Sequence, residues 1–357
     1  ITLLALTNVN ASSRHHTLIR SKVWQSSLQK IFETPLISEV SELGMGNLTK
    51  INQLNLWWEE FGERSDPVVL LIMGAYMNSQ AWPAELIEHL VDHRMRVIRF
   101  DNRDSGKSTW FGKKTWVERI ASFLPASLLR SILKKKFAQT DSKPTHNSPH
   151  PNHYDLFDMA EDAIGLLNYL EVDRAHIIGA SMGGLIAQIL AIHHPHRVQS
   201  LGLMITTPGL HDENLSRTPP KFLEETLESA IFSIKGKTLE AAIGIARAYH
   251  GSRFKFDEHR VLERGKKLLS HGYNPSALHS TAVDLTPSQL SRLRDISAPT
   301  VIVHGSEDPL IPTDHAEALN DEIYKSRLLT MEGVGHEIPD ELLRDISSAL
   351  IENMKTV

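Results

Sequence analysis

The stretch Gly179-Ala180-Ser181-Met182-Gly183-Gly184 constrains this chain more than any other. It follows a short β-like run, Ala175-His176-Ile177-Ile178, and precedes the apolar run Leu185-Ile186-Ala187-Gln188-Ile189-Leu190. Gly-x-Ser-x-Gly between a strand and a helix has a mechanical reason. A strand that turns that sharply into a helix holds its turn residue in a strained conformation. Small neighbours let the backbone fold so tightly, and the serine hydroxyl is left exposed above the sheet. The new helix also aims backbone N–H groups at whatever binds the serine. Ser181 is the candidate nucleophile, against the plainer reading of a glycine-rich helix start that only packs closely.

The surrounding pattern says what kind of sheet carries this turn. Val68-Val69-Leu70-Leu71-Ile72-Met73 is a continuous apolar run stopped by Gly74, as in a strand buried on both faces. Further strands are expected at 54–61, 96–100, 199–206, 300–304 and 327–331, and amphipathic helices at 82–93, 158–170 and 342–354. Strands alternating with helices give an α/β fold, a mostly parallel central sheet with helices on both faces. Two stretches break the alternation. Residues 208–295 are helix-rich, with helices expected at 221–234, 239–249 and 257–271. They read as a helical cap over the C-terminal edge of the sheet, where active sites of open α/β sheets lie. Within it, Phe222, Leu223, Ile231 and Phe232 read as cap core or as a pocket wall. Residues 110–155 form a basic insert. The expected organisation is an ill-defined arm at 1–50 with a short helix at 23–32, a core at 51–207 and 296–357 carrying the insert, and the cap at 208–295.

Composition narrows the partners. A formal net charge of −5 gives nucleic-acid binding no bulk electrostatic support, and the absence of cysteine excludes disulfides, thiolate catalysis and cysteine-based zinc sites. No metal is expected. No apolar run approaches the ~20 residues that span a bilayer. The chain opens on Ile1, so the true N-terminus is expected to be missing. Residues 1–6 read as a frayed end or the tail of a signal peptide, and the expected location is cytoplasmic with export left open. Between 111 and 137, seven Lys/Arg stand against Glu118, with Trp116, Ile120, Phe123, Leu124, Leu128, Leu129, Ile132 and Leu133 interleaved. Such a segment can make peripheral membrane contact on anionic lipid; the competing reading is a lid helix with a solvated basic face. Pro125 breaks it into two pieces, and 143–151 reads as a loop.

A serine hydroxyl needs a base within hydrogen-bond reach, and the base needs a third group to fix its tautomer. For an elbow of this type the chain order is serine, acid, histidine. After the strand at 300–304 comes Gly305-Ser306-Glu307-Asp308-Pro309, and after the last strand comes Glu332-Gly333-Val334-Gly335-His336. Ser181, Asp308 and His336 therefore all follow strand ends on one edge, with Glu307 and Asp314 as competing acids. His336 is one of 19 histidines, singled out by its glycine-rich loop. The cluster His193, His194, His196 sits at a helix end, where positive side chains suit the dipole. An oxyanion needs two preplaced donors. By position these are the backbone N–H of Met182 and of Ala75, just past the Gly74 strand stop.

With these residues in view, the chain resembles the α/β-hydrolase superfamily, and within it the resemblance is nearest to the aclacinomycin methylesterase-like serine esterases. It is carried by Trp57-Trp58-Glu59-Glu60-Phe61-Gly62, Leu71-Ile72-Met73-Gly74, the run Val97-Ile98-Arg99-Phe100-Asp101-Asn102-Arg103-Asp104-Ser105-Gly106-Lys107-Ser108-Thr109, the elbow, Tyr273-Asn274-Pro275, Ala298-Pro299-Thr300, His304-Gly305 and Gly335-His336. It covers roughly residues 51–355. The resemblance implies a cofactor-free carboxylic ester hydrolase whose cap shapes the acyl and alcohol pockets. Met73 stands where superfamily members usually have histidine, which leaves the backbone donor intact. The expected partner is a small or medium-sized ester, hydrolysed through an acyl-enzyme. A thioesterase, a C–C bond hydrolase or a cofactor-free haloperoxidase would share the triad, and a catalytically silent ligand-binding protein would share the fold.

Overall fold

The computed structural model describes residues 46–113, 116–137 and 153–357. The short helix expected at 23–32 and the loop expected at 143–151 lie outside them. The sheet has eight strands: β1 (Asn47–Ile51), β2 (Leu54–Phe61), β3 (Val68–Ile72), β4 (Arg96–Phe100), β5 (Ala175–Ala180), β6 (Val198–Met204), β7 (Thr300–Gly305) and β8 (Ser326–Met331). Their order across the sheet is β1-β2-β4-β3-β5-β6-β7-β8. The β1–β2 and β2–β4 pairings are antiparallel, and every pairing from β4 to β8 is parallel.

Among the described residues the helices are α1 (Ala84–Asp92), α2 (Trp116–Ala121), α3 (Ala126–Phe137), α4 (Leu156–Tyr169), α5 (Met182–His193), α6 (Pro220–Ile234), α7 (Thr238–Tyr249), α8 (Glu258–His271), α9 (His279–Leu285), α10 (Asp314–Glu322) and α11 (Leu343–Met354). Successive strand residues face opposite sides of a sheet, and in β3 both sides are covered. Leu70 and Ile72 pack with Met159, Leu166, Leu185 and Ile189 of α4 and α5. Val69 and Leu71 pack with Leu86 and Leu90 of α1 and Ile346 and Leu350 of α11. That is why β3 reads as an unbroken apolar run.

The sheet begins at Asn47, inside the stretch expected to be an ill-defined arm. In β1 only Ile51 is buried, as befits an edge strand with one paired side. Its turn, Asn52-Gln53, holds both residues at positive φ, 47° and 70°, the tight reversal that hairpins usually build with glycine. The insert after β4 breaks at Pro125 into α2 and α3. There Leu129 and Leu133 pack against Leu227, Ala230 and Ile231 of α6, which makes Ile231 a packing residue. Helices α6 to α9 lie between β6 and β7. They touch the polypeptide just beyond the C-terminal ends of β3, β4 and β8, through His279, His271 and Tyr249 respectively.

Candidate active site

The turn from β5 into α5 is built by backbone contacts that leave no room for side chains. A Cβ on Gly179 would stand 2.2 Å from the Gly183 carbonyl oxygen, one on Gly183 2.0 Å from that of Ile72, and one on Gly184 2.5 Å from the Thr206 hydroxyl. Between them Ser181 has φ 52° and ψ −119°, a conformation that costs a non-glycine residue about 1–3 kcal/mol. The strain is outweighed by what it lets α5 bury: every residue from Met182 to Ile192 is buried, and each large aliphatic side chain among them contributes about 1.5–3 kcal/mol. The Ser181 N–H donates to the Met204 carbonyl at 2.9 Å, and its own carbonyl accepts from Thr206 Oγ1 at 2.7 Å and Gly184 N at 2.9 Å.

The structure brings Ser181, His336 and Asp308 together. His336 Nε2 lies 3.2 Å from Ser181 Oγ, and His336 Nδ1 lies 2.7 Å from Asp308 Oδ2. The other Asp308 oxygen accepts the N–H groups of Leu310 at 2.9 Å and Ile311 at 2.8 Å. Burial alone would raise the Asp308 pKa. The adjacent His336 charge, the hydrogen bond to it, His304 and the Ile311 N–H outweigh burial and hold the carboxyl below the usual aspartate range. An ionised Asp308 keeps the imidazole proton on Nδ1, so Nε2 is free to accept the serine proton. Glu307 turns away, to Ser252, and Asp314 accepts from Ser216 N.

The loop after β3 lies against the nucleophile. A Cβ on Gly74 would stand 3.1 Å from Ser181 Cβ. The loop is pinned along its length. Asn102 Nδ2 donates to the Met73 carbonyl at 2.9 Å, Ser105 Oγ to the Met77 carbonyl at 2.9 Å, and Ser79 N and Oγ to Asp101. Neither the Ala75 nor the Met182 N–H has a hydrogen-bond partner among the described residues. Both stand beside Ser181 in chain or in space, as free donors.

Sequence reasoning did not reach the residues of the helical insertion that hold the two loops flanking the serine. Tyr76, next to Ala75, has φ 63°, and its N–H donates to His279 Nδ1 at 2.8 Å. His279 Nε2 donates to the Arg103 carbonyl at 2.8 Å, which fixes the tautomer. His279 is fully buried, and that burial lowers its pKa and keeps the ring neutral. The Tyr76 hydroxyl also contacts Ser280. On the other side, the His336 N–H donates to the Tyr249 carbonyl at 2.9 Å, and the Tyr249 ring lies 4.9 Å from the imidazole with its other neighbour, Phe222, stacked at 5.5 Å. Gly251 N and His250 Nδ1 both contact Glu337, the residue after His336. Among 19 histidines nothing in the spacing marks His279. Asn102 lies inside the run Val97–Thr109, and its strand-end position is the signal that could have found it.

Among the described residues no three or more His, Cys, Asp or Glu side chains converge as a metal site. His194 instead pairs with Glu161 at 2.8 Å. No helix among the described residues is long and apolar enough to cross a membrane.

Comparison with known proteins identifies the fold family. A model of the alpha/beta hydrolase fold matches residues 67–341. The rhodomycin D methylesterase DauP of Streptomyces sp. (strain C5) is similar, 25% identical over 319 residues that cover 84% of this chain and 94% of its own. The rhodomycin D methylesterase DnrP of Streptomyces peucetius is 26% identical over 321 residues, again covering 84% and 94%. A solved hydrolase from Pseudomonas aeruginosa PA01 has the same fold, with a TM-score of 0.62 at 21% identity over 87% of this chain and 99% of that one. The expected fold and the resemblance to methylesterases are both met.

Proposed function

The chain belongs to the α/β-hydrolase fold family, and from that premise we propose that it is a serine carboxylic ester hydrolase acting through an acyl-enzyme. The observation that carries this reading is the relay from Ser181 Oγ to His336 Nε2 and from His336 Nδ1 to Asp308. Ser181 attacks the ester carbonyl while His336 takes its proton. The negative charge on the carbonyl oxygen is met by the Met182 and Ala75 N–H groups at the start of α5 and beyond β3. His336 then protonates the leaving alcohol, and Asp308 stabilises the imidazolium. Water activated by His336 repeats the sequence and frees the acid. Residues 208–295 act as the cap over the site, with Tyr249 and Phe222 on the wall beside His336. The two methylesterases support an ester of a small alcohol as substrate.

Hydrolysis of p-nitrophenyl acetate and butyrate, with labelling by a serine-directed phosphonate, tests the reading. Turnover and stoichiometric labelling at Ser181 are expected. No turnover together with no labelling would make this a ligand-binding protein on a hydrolase fold. Turnover that survives Ser181→Ala would refute the site assignment.

A further inference from the structure

Helix α3 is apolar on two neighbouring faces, and only one of them is used for packing. Leu129 and Leu133 are 2% and 9% exposed, facing α6. One residue behind each of them, Leu128 and Ile132 are 46% and 47% exposed. They lie one turn apart, about 100° round the axis from the packed pair. In α2 and the turn that follows it, Ile120 is 52% and Phe123 85% exposed. A surface helix buries one apolar stripe and presents polar residues outward. Single exposed apolar residues are ordinary, but several on consecutive elements mark a contact surface.

We propose that this outer face of α2 and α3 docks on an anionic lipid surface. Arg119, Lys134 and Lys135 are exposed on the same two helices, in a chain whose net charge is −5. Other basic groups nearby serve the fold: Arg130 pairs with Glu228, and Lys235 Nζ donates to the Ser122 and Leu124 carbonyls that close α2. Charge decides between occupants. A second copy meeting this face through a two-fold axis would set basic groups against basic groups. The N-terminal segment carries Arg14, Arg20, Lys22 and Lys30 against Glu33, Glu39 and Glu42, with no acidic excess to offer. An anionic bilayer satisfies both features at once, taking the apolar side chains at the headgroup level and the cations at the phosphates.

The location gives the contact a consequence. Helix α3 packs on α6, Phe222 of α6 stacks on Tyr249, and Tyr249 meets His336. This chain of contacts links the docked helices to the triad, so docking sets the site over esters presented by the lipid surface. That consequence rests on the ester-hydrolase reading, whereas the binding itself does not.

The Ser181→Ala protein, which cannot turn over esters in the vesicle, is sedimented with phosphatidylcholine vesicles with and without phosphatidylglycerol. Stronger binding to the phosphatidylglycerol vesicles, weakened by added salt, is expected. Phe123→Ser/Ile132→Ser and Lys134→Gln/Lys135→Gln should each lower the affinity by about tenfold or more. In the Ser181 background the same pairs of changes should leave turnover of a soluble p-nitrophenyl ester and the melting midpoint unaltered. Absence of vesicle binding, or equal binding to both vesicle types, overturns the proposal. So does binding that both double variants retain in full. A dimer in solution that Phe123→Ser/Ile132→Ser dissolves would also overturn it, by making the face a contact between copies.

Discussion

The two halves of the proposed active site are held in different ways. The elbow that presents Ser181 is fixed by its own neighbours: glycines two and three residues away, the next strand's Met204 carbonyl and the Thr206 hydroxyl. The loops that carry Ala75 and His336 are fixed partly from the helical insertion. Tyr76 and His279 are 203 residues apart in the chain, and His336 is held through the Tyr249 carbonyl. The core therefore builds the proposed nucleophile alone, while the proposed oxyanion and acid–base side is completed when α7 and α9 are seated. One half is a property of the sheet, and the other is a property of how a second layer docks on it.

The largest expected effect lies in the self-sufficient half. Ser181→Ala should lower kcat on a p-nitrophenyl ester by about 10⁶-fold, with the melting midpoint unchanged because the hydroxyl carries no packing. Asp308→Asn comes next, with a loss of about 10⁴-fold measured by the same assay. It also carries a pH signature. A carboxyl held below its ordinary pKa contributes stability that is present above the unfolded-state value and is lost as pH falls through the folded-state value. The parent's stability advantage over Asp308→Asn, read by urea unfolding, should therefore be full at neutral pH and shrink below about pH 4. A gap independent of pH would mean that Asp308 is held by packing alone.

The same comparison explains what was legible in the sequence. The elbow, β3 and the strand-end placement of Asp308 and His336 announce themselves because their determinants are local: an apolar run, a glycine spacing, a loop that follows a strand. Even the break of the insert into α2 and α3 is written in Pro125. The first strand was not legible, because β1 buries only Ile51 and its Asn52-Gln53 turn lacks the glycine that signals a hairpin. Helix α10, with a half-polar sequence and few buried residues, gave no clear period. His279 was illegible for a deeper reason. Its role is set by the Tyr76 N–H and the Arg103 carbonyl, two backbone atoms that no side-chain pattern encodes.

His279 is thus where the conditional half can be broken without touching the triad. Alanine there leaves the Tyr76 N–H and the buried Arg103 carbonyl without their partner, and a left-handed Tyr76 free to relax. Moving one oxyanion donor out of line is smaller than deleting it, which typically costs 10²–10³ in kcat, so roughly tenfold to a hundredfold is expected. The loss should fall on kcat more than on KM. His279→Gln, which can accept at one atom and donate from another, should recover part of it. A merely structural role would lower the melting midpoint and leave the kcat of the folded fraction alone. Equal kcat in the alanine variant and the parent would show that the β3 loop needs no help from the insertion.

The smallest expected effect concerns the strap beside His336. His250 Nδ1 lies 2.8 Å from Glu337 Oε1, and its Nε2 contacts the Phe254 carbonyl at 2.8 Å. Partial burial alone would lower the His250 pKa; the hydrogen bonds to Glu337 and Phe254 and the charges of Glu337 and Glu341 outweigh it and raise it. A raised histidine contributes stability that is fully present below its unfolded-state value, about 6.5, and is lost as pH rises through the folded-state value. Because water reaches the pair, the contribution is about 1 kcal/mol or less. His250→Gln should therefore be slightly less stable than the parent at pH 6, and the two should converge as the solution is made alkaline. Thermal unfolding of both proteins across that range reads the difference directly. Glu337→Gln should remove the same pH-dependent increment, and combining the two changes should add nothing further to it. A full double loss would mean that each residue holds the His336 loop through a separate contact, and the insertion would then grip that loop at independent points.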